Sequence, residues 1–318
     1  MIRSAVALEG VRRTFGMTVA LQSLSVQVGH GELFGIVGPD GAGKTTTLRI
    51  LAGVLKPTAG RAWIEGVDIG RDPEAAKPHT AYMAQRFGLY GDLTVRENLE
   101  FYADLYRVSR KDRLERFQRL YEFSRLGEFE QRLAGHLSGG MKQKLALSCC
   151  LVHHPKVLLL DEPTFGVDPI SRRELWLILH RMVAEGVTTL VSTSYLDEAE
   201  RCDRVVLLNE GRALALDKPV RLQDSLGGRL YALRSPTPRK ARDLLRALFG
   251  NRSASLSGDA VRALLPHDLD PADMASPLTD AGIEVSGVHE ISPSLEDVFV
   301  HLVAEGTDGT GSVTPDDV

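Results

Sequence analysis

Cysteine is scarce: three in 318 residues, Cys149, Cys150 and Cys202. They have no metal-ligand spacing and are too few for a disulfide framework, so all three read as core residues of a protein in a reducing compartment. Long apolar runs are missing as well. The most apolar short segments, Val157 to Leu160 and Leu145 to Val152, fall well short of the ~18 residues of a membrane span. Met1 to Gly10 lacks the charged start and apolar core of a secretory signal, so the chain is expected in the cytoplasm, reaching a membrane only through a partner. Positive charge is not in excess either. The formal net charge of −4 argues against a general nucleic-acid binder, because a phosphate backbone repels an anionic particle. The rest of the composition, 43% hydrophobic and 25% charged, is that of a folded soluble protein with room for one large domain and a smaller one.

Against that background one stretch carries chemistry. Gly38-Pro39-Asp40-Gly41-Ala42-Gly43-Lys44-Thr45 fits the phosphate-loop spacing G-x-x-x-x-G-K-[ST] in full. Glycines at 38, 41 and 43 let successive backbone N–H groups turn inward around a polyphosphate. Lys44 supplies a point charge for the β- and γ-phosphates, and Thr45 a hydroxyl for the accompanying Mg²⁺. The apolar run Leu33 to Val37 reads as the strand before the loop, and Thr46 to Gly53 as the helix after it.

Upstream, Val6, Leu8, Leu24, Val26 and Val28 stand at strand period, with a turn expected at Arg12 to Gly16. Phe15 there is either an aromatic face for an adenine base or a plain core residue. Glu65-Gly66 and Val67 to Ile69 read as a hairpin. Ala81 to Gln85 reads as a strand ending in an amide, followed by the glycine-punctuated aromatic loop Phe87 to Leu93. Thr94 and Glu97 form a capping box, which predicts a helix from about Val95. The aromatics before it serve either a docking surface or internal packing. Arg110 to Phe129 has helical periodicity with interleaved charges, expected as a solvated amphipathic face.

Two further sites follow. Leu137-Ser138-Gly139-Gly140-Met141-Lys142-Gln143 precedes a helix through Cys150, with Ser138 placed as a cap and the two glycines at a positive helix end, a second anion site. Val157 to Leu160 is an apolar strand that delivers Asp161 and Glu162 to its C-terminal edge. Asp161 can hold Mg²⁺, and Glu162 can polarise an attacking water. Gly166 to Pro169 turns into a helix over 170–185. Strands are expected at Thr188 to Ser192, Val205 to Leu208 and Ala213 to Leu216, and Asp217-Lys218-Pro219 marks a boundary. Beyond it, Leu230 to Leu233 and Gly282 to Val285 read as strands, Arg239 to Leu248 and Leu295 to Val303 as helices, and no catalytic constellation is visible. Residues 306–318 read as a disordered tail.

Residues 1 to about 216 resemble the ATP-binding cassette of ABC transporters, on four separated motifs in the family's order: the loop at Gly38, Gln85 as the Q-loop glutamine, the signature at Leu137 to Gln143, and Asp161-Glu162 followed by Gly166-Val167-Asp168. The resemblance implies an α/β P-loop NTPase fold with a mixed β start, a parallel-sheet core and a helical subdomain at about 86–155. A small C-terminal α+β domain would occupy residues 217–305. It implies Mg²⁺ and ATP as ligands, Gln85 as a catalytic and metal-contacting residue, and a head-to-tail dimer. In that dimer Ser138, Gly139 and Gly140 would close on the nucleotide held by a second cassette, with Asp168 nearby, and Phe15 would stack the adenine. Gly-Gly-Met-Lys-Gln-Lys and the ending Ser294-Leu295-Glu296-Asp297-Val298-Phe299 look like the drug-export branch with ABC-2-type permeases. That branch implies a separate membrane permease at the inner face of the cell membrane, and admits a periplasmic adaptor.

The chain departs from the family at one point. Ser194 stands where a histidine that contacts the γ-phosphate is expected, and a hydroxyl is shorter and carries no positive charge at neutral pH. The chain's own site is therefore expected to bind ATP but hydrolyse it slowly, while its intact signature completes a site on a histidine-bearing partner. A homodimer remains open because Glu162 is present. Two other functions also stay open: a soluble ATP-clamp regulator, and a subunit whose C-terminal domain recognises a polysaccharide or lipid cargo.

Overall fold

The computed structural model describes residues 4–250, 253–267 and 269–307. The chain divides into two compact units, Met1–Leu216 and Asp217–Val318. In the first, β1 (Val6–Phe15), β2 (Thr18–Val28), β4 (Ala59–Ile64) and β5 (Val67–Asp68) make a sheet in the order β2-β1-β4-β5. A six-stranded sheet is built from β3 (Leu33–Val37), β6 (Thr80–Met83), β7 (Val157–Asp161), β8 (Thr188–Thr193), β9 (Arg204–Asn209) and β10 (Arg212–Asp217). Its order is β10-β9-β3-β8-β7-β6, and the run from β9 to β6 is parallel. Every residue of β3, β7 and β8 is buried. That is why these strands read as unbroken apolar or hydroxyl-bearing runs rather than alternating ones: both faces of a parallel sheet are covered.

The helices of this unit are α1 (Lys44–Leu51), α2 (Pro73–Ala76), α3 (Val95–Leu105), α4 (Arg110–Ser124), α5 (Gly139–Leu151), α6 (Pro169–Ala184) and α7 (Leu196–Ala199). The capping box predicted for α3 is present, Thr94 accepting from the Glu97 amide and Glu97 from the Thr94 amide. Asn98, fully buried on α3, holds the preceding loop: its Oδ1 accepts from the Tyr90 amide at 3.0 Å, and its Nδ2 donates to the carbonyls of Tyr90 and Thr94.

Two local expectations are corrected here. The turn expected at Arg12 to Gly16 is shorter, since β1 continues through Phe15 with Arg13 opposite Leu21 and Thr14 opposite Val19. The Thr14 amide also donates to Thr58 Oγ1 at 3.1 Å, so the polar run is strand backbone with partners on both sides. Helix α1 begins at Lys44, two residues before the expected start at Thr46.

The second unit holds α8 (Pro219–Asp224), β11 (Arg229–Arg234), α9 (Pro238–Phe249), β12 (Ala254–Ser257), β13 (Ala260–Leu265), α10 (Pro271–Asp280), β14 (Ser286–Ile291) and α11 (Leu295–Thr307). Its sheet is antiparallel in the order β12-β13-β11-β14. The strand expected at Gly282 to Val285 is not there: α10 ends in a turn with Gly282 at φ 71°, and the strand β14 starts at Ser286. Ile283 and Val285 reach the core of this unit from a connecting segment. Of the tail expected at 306–318, residues 306 and 307 belong to α11, and 308–318 lie outside the described residues. No helix among the described residues is long and apolar enough to cross a membrane.

His153, just after α5, stacks on the Tyr106 ring with centroids 3.8 Å apart, and burial pushes its pKa down to about 4. The unfolded imidazole takes up its proton near pH 6.5, so this contribution to stability is complete above that pH and is lost as pH falls towards 4. Partial solvent contact limits the loss to roughly 2 kcal/mol. Unfolding midpoints measured between pH 7 and 4 should drop more steeply for the parent chain than for His153→Phe; equal slopes would contradict the assignment.

Candidate functional site

The register of the parallel sheet sets the site. Val37 lies opposite Thr193 and Asp161 opposite Ser192, so the chain leaves β3, β8 and β7 side by side. The Gly38 amide donates to the Thr193 carbonyl at 3.3 Å, and the Glu162 amide to Ser192 Oγ at 3.0 Å. The phosphate loop, Glu162 and Ser194 therefore emerge at one sheet edge.

Within the loop two glycines are required by close approach. A Cβ on Gly38 would stand 2.1 Å from the Leu208 carbonyl oxygen, and one on Gly43, whose φ is 105°, 2.6 Å from that of Ala20. Pro39, Asp40 and Gly41 are exposed at the mouth, Ala42 is buried, and Thr45 and Thr46 are half-buried. With Gly43 as its N-cap, α1 has no side chain bonded to its first amides and no acid in its first turn. Its N-terminus thus offers free donors and a positive dipole end to an anion. Lys44 is only 4% exposed, and its Nζ donates to the carbonyls of Gly38 at 2.7 Å and Pro39 at 3.1 Å.

The acids of β7 meet this loop. Asp161 Oδ1 accepts from Thr45 Oγ1 at 2.9 Å and from Ser192 Oγ at 2.7 Å, and Oδ2 accepts from the Tyr82 hydroxyl at 3.2 Å. Burial, and then the neighbouring Asp161 charge, push the Tyr82 hydroxyl up to about 12, so it stays a donor. Glu162 Oε1 lies 3.2 Å from Lys44 Nζ, and Oε2 accepts from Gln85 Nε2 at 2.9 Å. Its backbone sits at φ 49°, in the left-handed region, at a cost of roughly 1–2 kcal/mol for a residue with a Cβ. Such strain gathers at functional sites, where the surroundings fix a side chain's direction.

Thr45 Oγ1, the Asp161 carboxylate and the Gln85 side-chain carbonyl are hard oxygen donors, the type that suits Mg²⁺. The Thr45 to Asp161 contact brings the first two together, so these residues fit the ion.

The other predicted residues are distributed as follows. Ser138 caps α5, accepting from the Met141 amide, and Gly139 and Gly140 open that helix. They lie against the 166–171 segment: a Cβ on Gly140 would meet Ser171 Oγ at 2.3 Å. Asp168 caps α6, and hydrogen bonds from the Ser171 amide, then its hydroxyl, hold its carboxyl below the usual range. Ser138, Gly139 and Asp168 are exposed and Gly140 is buried against Ser171, so the four form a group of their own, the signature beside the turn into α6. Phe15 is 46% exposed, with the Arg13 guanidinium 4.5 Å from its ring centroid, so it is not a core residue. Ser194 is half-buried immediately after β8.

Beside Gln85 runs a groove of about 380 Å³ lined by Arg86, Phe87, Leu89 and Lys142 among others. The aromatics of the preceding loop pack on those of α3 without being fully covered. Phe87 packs on Tyr102 with centroids 5.2 Å apart and Tyr90 on Phe101 at 4.6 Å, yet Tyr90 remains 46% exposed.

Sequence reasoning missed three contributors: Ser192 and Tyr82, which hold Asp161, and Glu198, which is 1% exposed beneath the Ser194 segment. Hydroxyls in a run as buried as Thr188–Thr193 were the available signal, because a buried hydroxyl must find a partner.

Residues 21–165 match the family described as ABC transporter. A probable multidrug ABC transporter ATP-binding protein of Escherichia coli (strain K12) is 46% identical over 304 residues, an alignment taking in 94% of this chain and 52% of that protein. The chain thus spans about half the length of this curated relative. A daunorubicin resistance ATP-binding protein of Streptomyces coeruleorubidus is 34% identical across 96% of this chain and 97% of its own length. Among solved structures, an ATP-binding cassette in a dimeric post-hydrolysis state with ADP and phosphate superposes with a TM-score of 0.61 at 27% identity, over 67% of this chain and 98% of that one.

Proposed function

Because the chain belongs to the ATP-binding proteins of ABC transporters, a family of transport ATPases, we propose that it binds and hydrolyses ATP to drive export of drugs or other hydrophobic compounds through a separate ABC-2-type membrane permease. The observation that carries the reading is the meeting of Lys44 and Thr45 with Glu162 and Asp161 at one sheet edge. The drug-resistance and multidrug names of relatives support the cargo class.

In this reading the uncapped amides of α1 and the Lys44 ammonium hold the β- and γ-phosphates, and Phe15 stacks the adenine. Thr45, Asp161 and Gln85 would hold Mg²⁺, which neutralises charge on the phosphate oxygens. Polyphosphate competes for Lys44 and releases Glu162 to orient the attacking water and take its proton. The water oxygen bonds to the γ-phosphorus as the bond to the leaving ADP oxygen breaks, giving ADP and phosphate. Ser194 stands where this transition state would draw on an imidazole, so the chain's own site turns over slowly.

The signature group, Ser138 to Gly140 with Asp168, presents exposed Ser138, Gly139 and Asp168 and serves the nucleotide of a second cassette. A homologous cassette captured as a dimer supports such pairing. The E. coli relative, about twice as long as the aligned segment, has length for a second cassette in one chain. The pairing that makes best use of both features sets this chain beside a histidine-bearing cassette. The groove next to Gln85 docks the permease at the cytoplasmic face of the membrane.

Steady-state ATPase assays of the purified chain, Ser194→His and Glu162→Gln test the reading. Slow turnover in the parent, a gain on the order of 10- to 100-fold in Ser194→His and loss in Glu162→Gln are expected. Brisk, Glu162-dependent turnover in the parent that Ser194→His leaves unchanged would overturn the weakened site. For the docking groove, the pair Phe87→Asp and Leu89→Asp should abolish co-purification with the permease while nucleotide binding persists; retained assembly would exclude the groove.

A further inference from the structure

Glu198 is a fully buried carboxylate that the reading above leaves without a task. It sits on the short helix α7 and is 1% exposed. Its Oε2 accepts two hydroxyls, Thr164 Oγ1 at 2.8 Å and Thr193 Oγ1 at 3.0 Å, both side chains buried. Its Oε1 faces Arg172 Nε across 3.3 Å, an ion-pair distance at which neither atom has a hydrogen-bond partner. The Arg172 guanidinium is also stacked over the Tyr195 ring, 4.6 Å from its centroid.

These contacts join three segments. Thr164 lies two residues beyond Glu162, and Thr193 directly precedes Ser194. Arg172 is in the first turn of α6, where its amide donates to the carbonyl of Asp168, the residue that caps that helix. A single carboxylate is thus fastened by hydroxyls to the two strand ends that carry the chemistry, and by charge to the helix that starts at the exposed Asp168. The two kinds of link differ in stiffness. The hydroxyl bonds are at full strength, whereas the Arg172 pair lacks the alignment of a hydrogen bond and can be completed or broken by a small shift of α6.

We propose that Glu198 is a positioning residue of the ATP site, and that the Glu198–Arg172 pair transmits the state of the site at Glu162 and Ser194 to the 165–172 segment that bears Asp168. The proposal rests on the ATP-site reading. It adds a route by which nucleotide in this chain's loop alters the surface it offers to a second cassette. An ion pair buried on one side and adjustable on the other is suited to this, because its strength depends steeply on alignment while its burial spares it from salt screening.

The test is hydrogen–deuterium exchange of the full chain with and without magnesium and a non-hydrolysable ATP analogue, which needs no turnover from the Ser194 site. Parent, Glu198→Gln and Arg172→Gln are compared, the last leaving the buried hydroxyl bonds in place in case Glu198→Gln folds poorly. In the parent, nucleotide should slow exchange in peptides covering 38–47, 193–199 and 164–172. In Arg172→Gln the 38–47 response should persist while that of 164–172 falls about fivefold or more, the size of an ordinary coupling between sites. Glu198→Gln should behave likewise. An undiminished response at 164–172 in Arg172→Gln would overturn the proposal. So would loss of all three responses together with a lower melting temperature, the mark of a merely structural pair. A parent that shows no response at 38–47 would instead remove the ATP-site reading and this proposal with it, and that failure is visible before any variant is made.

Discussion

A lysine ammonium that is 4% exposed must be paired, and the pairing of Lys44 organises everything around it. Two loop carbonyls and the Glu162 carboxylate satisfy it, the latter at 3.2 Å. For Glu162 to be there, β7 must lie two strands from β3, with β8 between them in the stated register. Ser192 then lies beside Asp161, close enough to bond both that side chain and the Glu162 amide. The left-handed backbone of Glu162 is tolerated because these bonds, with Gln85 on its other oxygen, hold it in place. An arrangement in which the cation is neutralised by the prospective catalytic base is poised for an anion that competes for the cation.

The same edge of the sheet supports a second layer of polar groups below the first. Asp161 is held by Thr45, Ser192 and Tyr82, and Glu198 by Thr164, Thr193 and Arg172. Each carboxylate is buried, and each takes hydroxyls, one of them from the end of β8, which keeps the charges away from water without leaving them unpartnered. The first layer faces the phosphate loop and the second faces α6. Function at this edge is therefore distributed over chain segments far apart in sequence that the parallel sheet brings within hydrogen-bond reach.

Much of this was legible in the residues. Motif spacing located the phosphate loop, the Asp161-Glu162 strand end and the capped starts of α3 and α5, because each depends on local chemistry that the sequence states directly. The turn at Arg12 to Gly16 was misread because polar side chains suggested a loop, whereas Thr14 and Arg13 are held as strand by pairing with β2. In the second unit, β13 alternates in burial as a strand should, but its alanines and arginine gave a faint signal. Helix α10 was hidden by Pro277 in its interior, and β14, with the sequence SGVHEI, is a strand only because β11 pairs with it. The bonds that tie Ser192 to Asp161 and Glu198 to Thr164 are long-range, 31 and 34 residues apart, and only the Thr193 to Glu198 bond falls within a short window of sequence.

The most direct test of the account is a crystal structure of the parent chain with magnesium and a non-hydrolysable ATP analogue. The account predicts Lys44 Nζ on the β- and γ-phosphate oxygens, Glu162 freed from it, and the metal between Thr45 Oγ1 and Asp161. A nucleotide bound elsewhere, or a Lys44–Glu162 contact left intact beside bound polyphosphate, would contradict it.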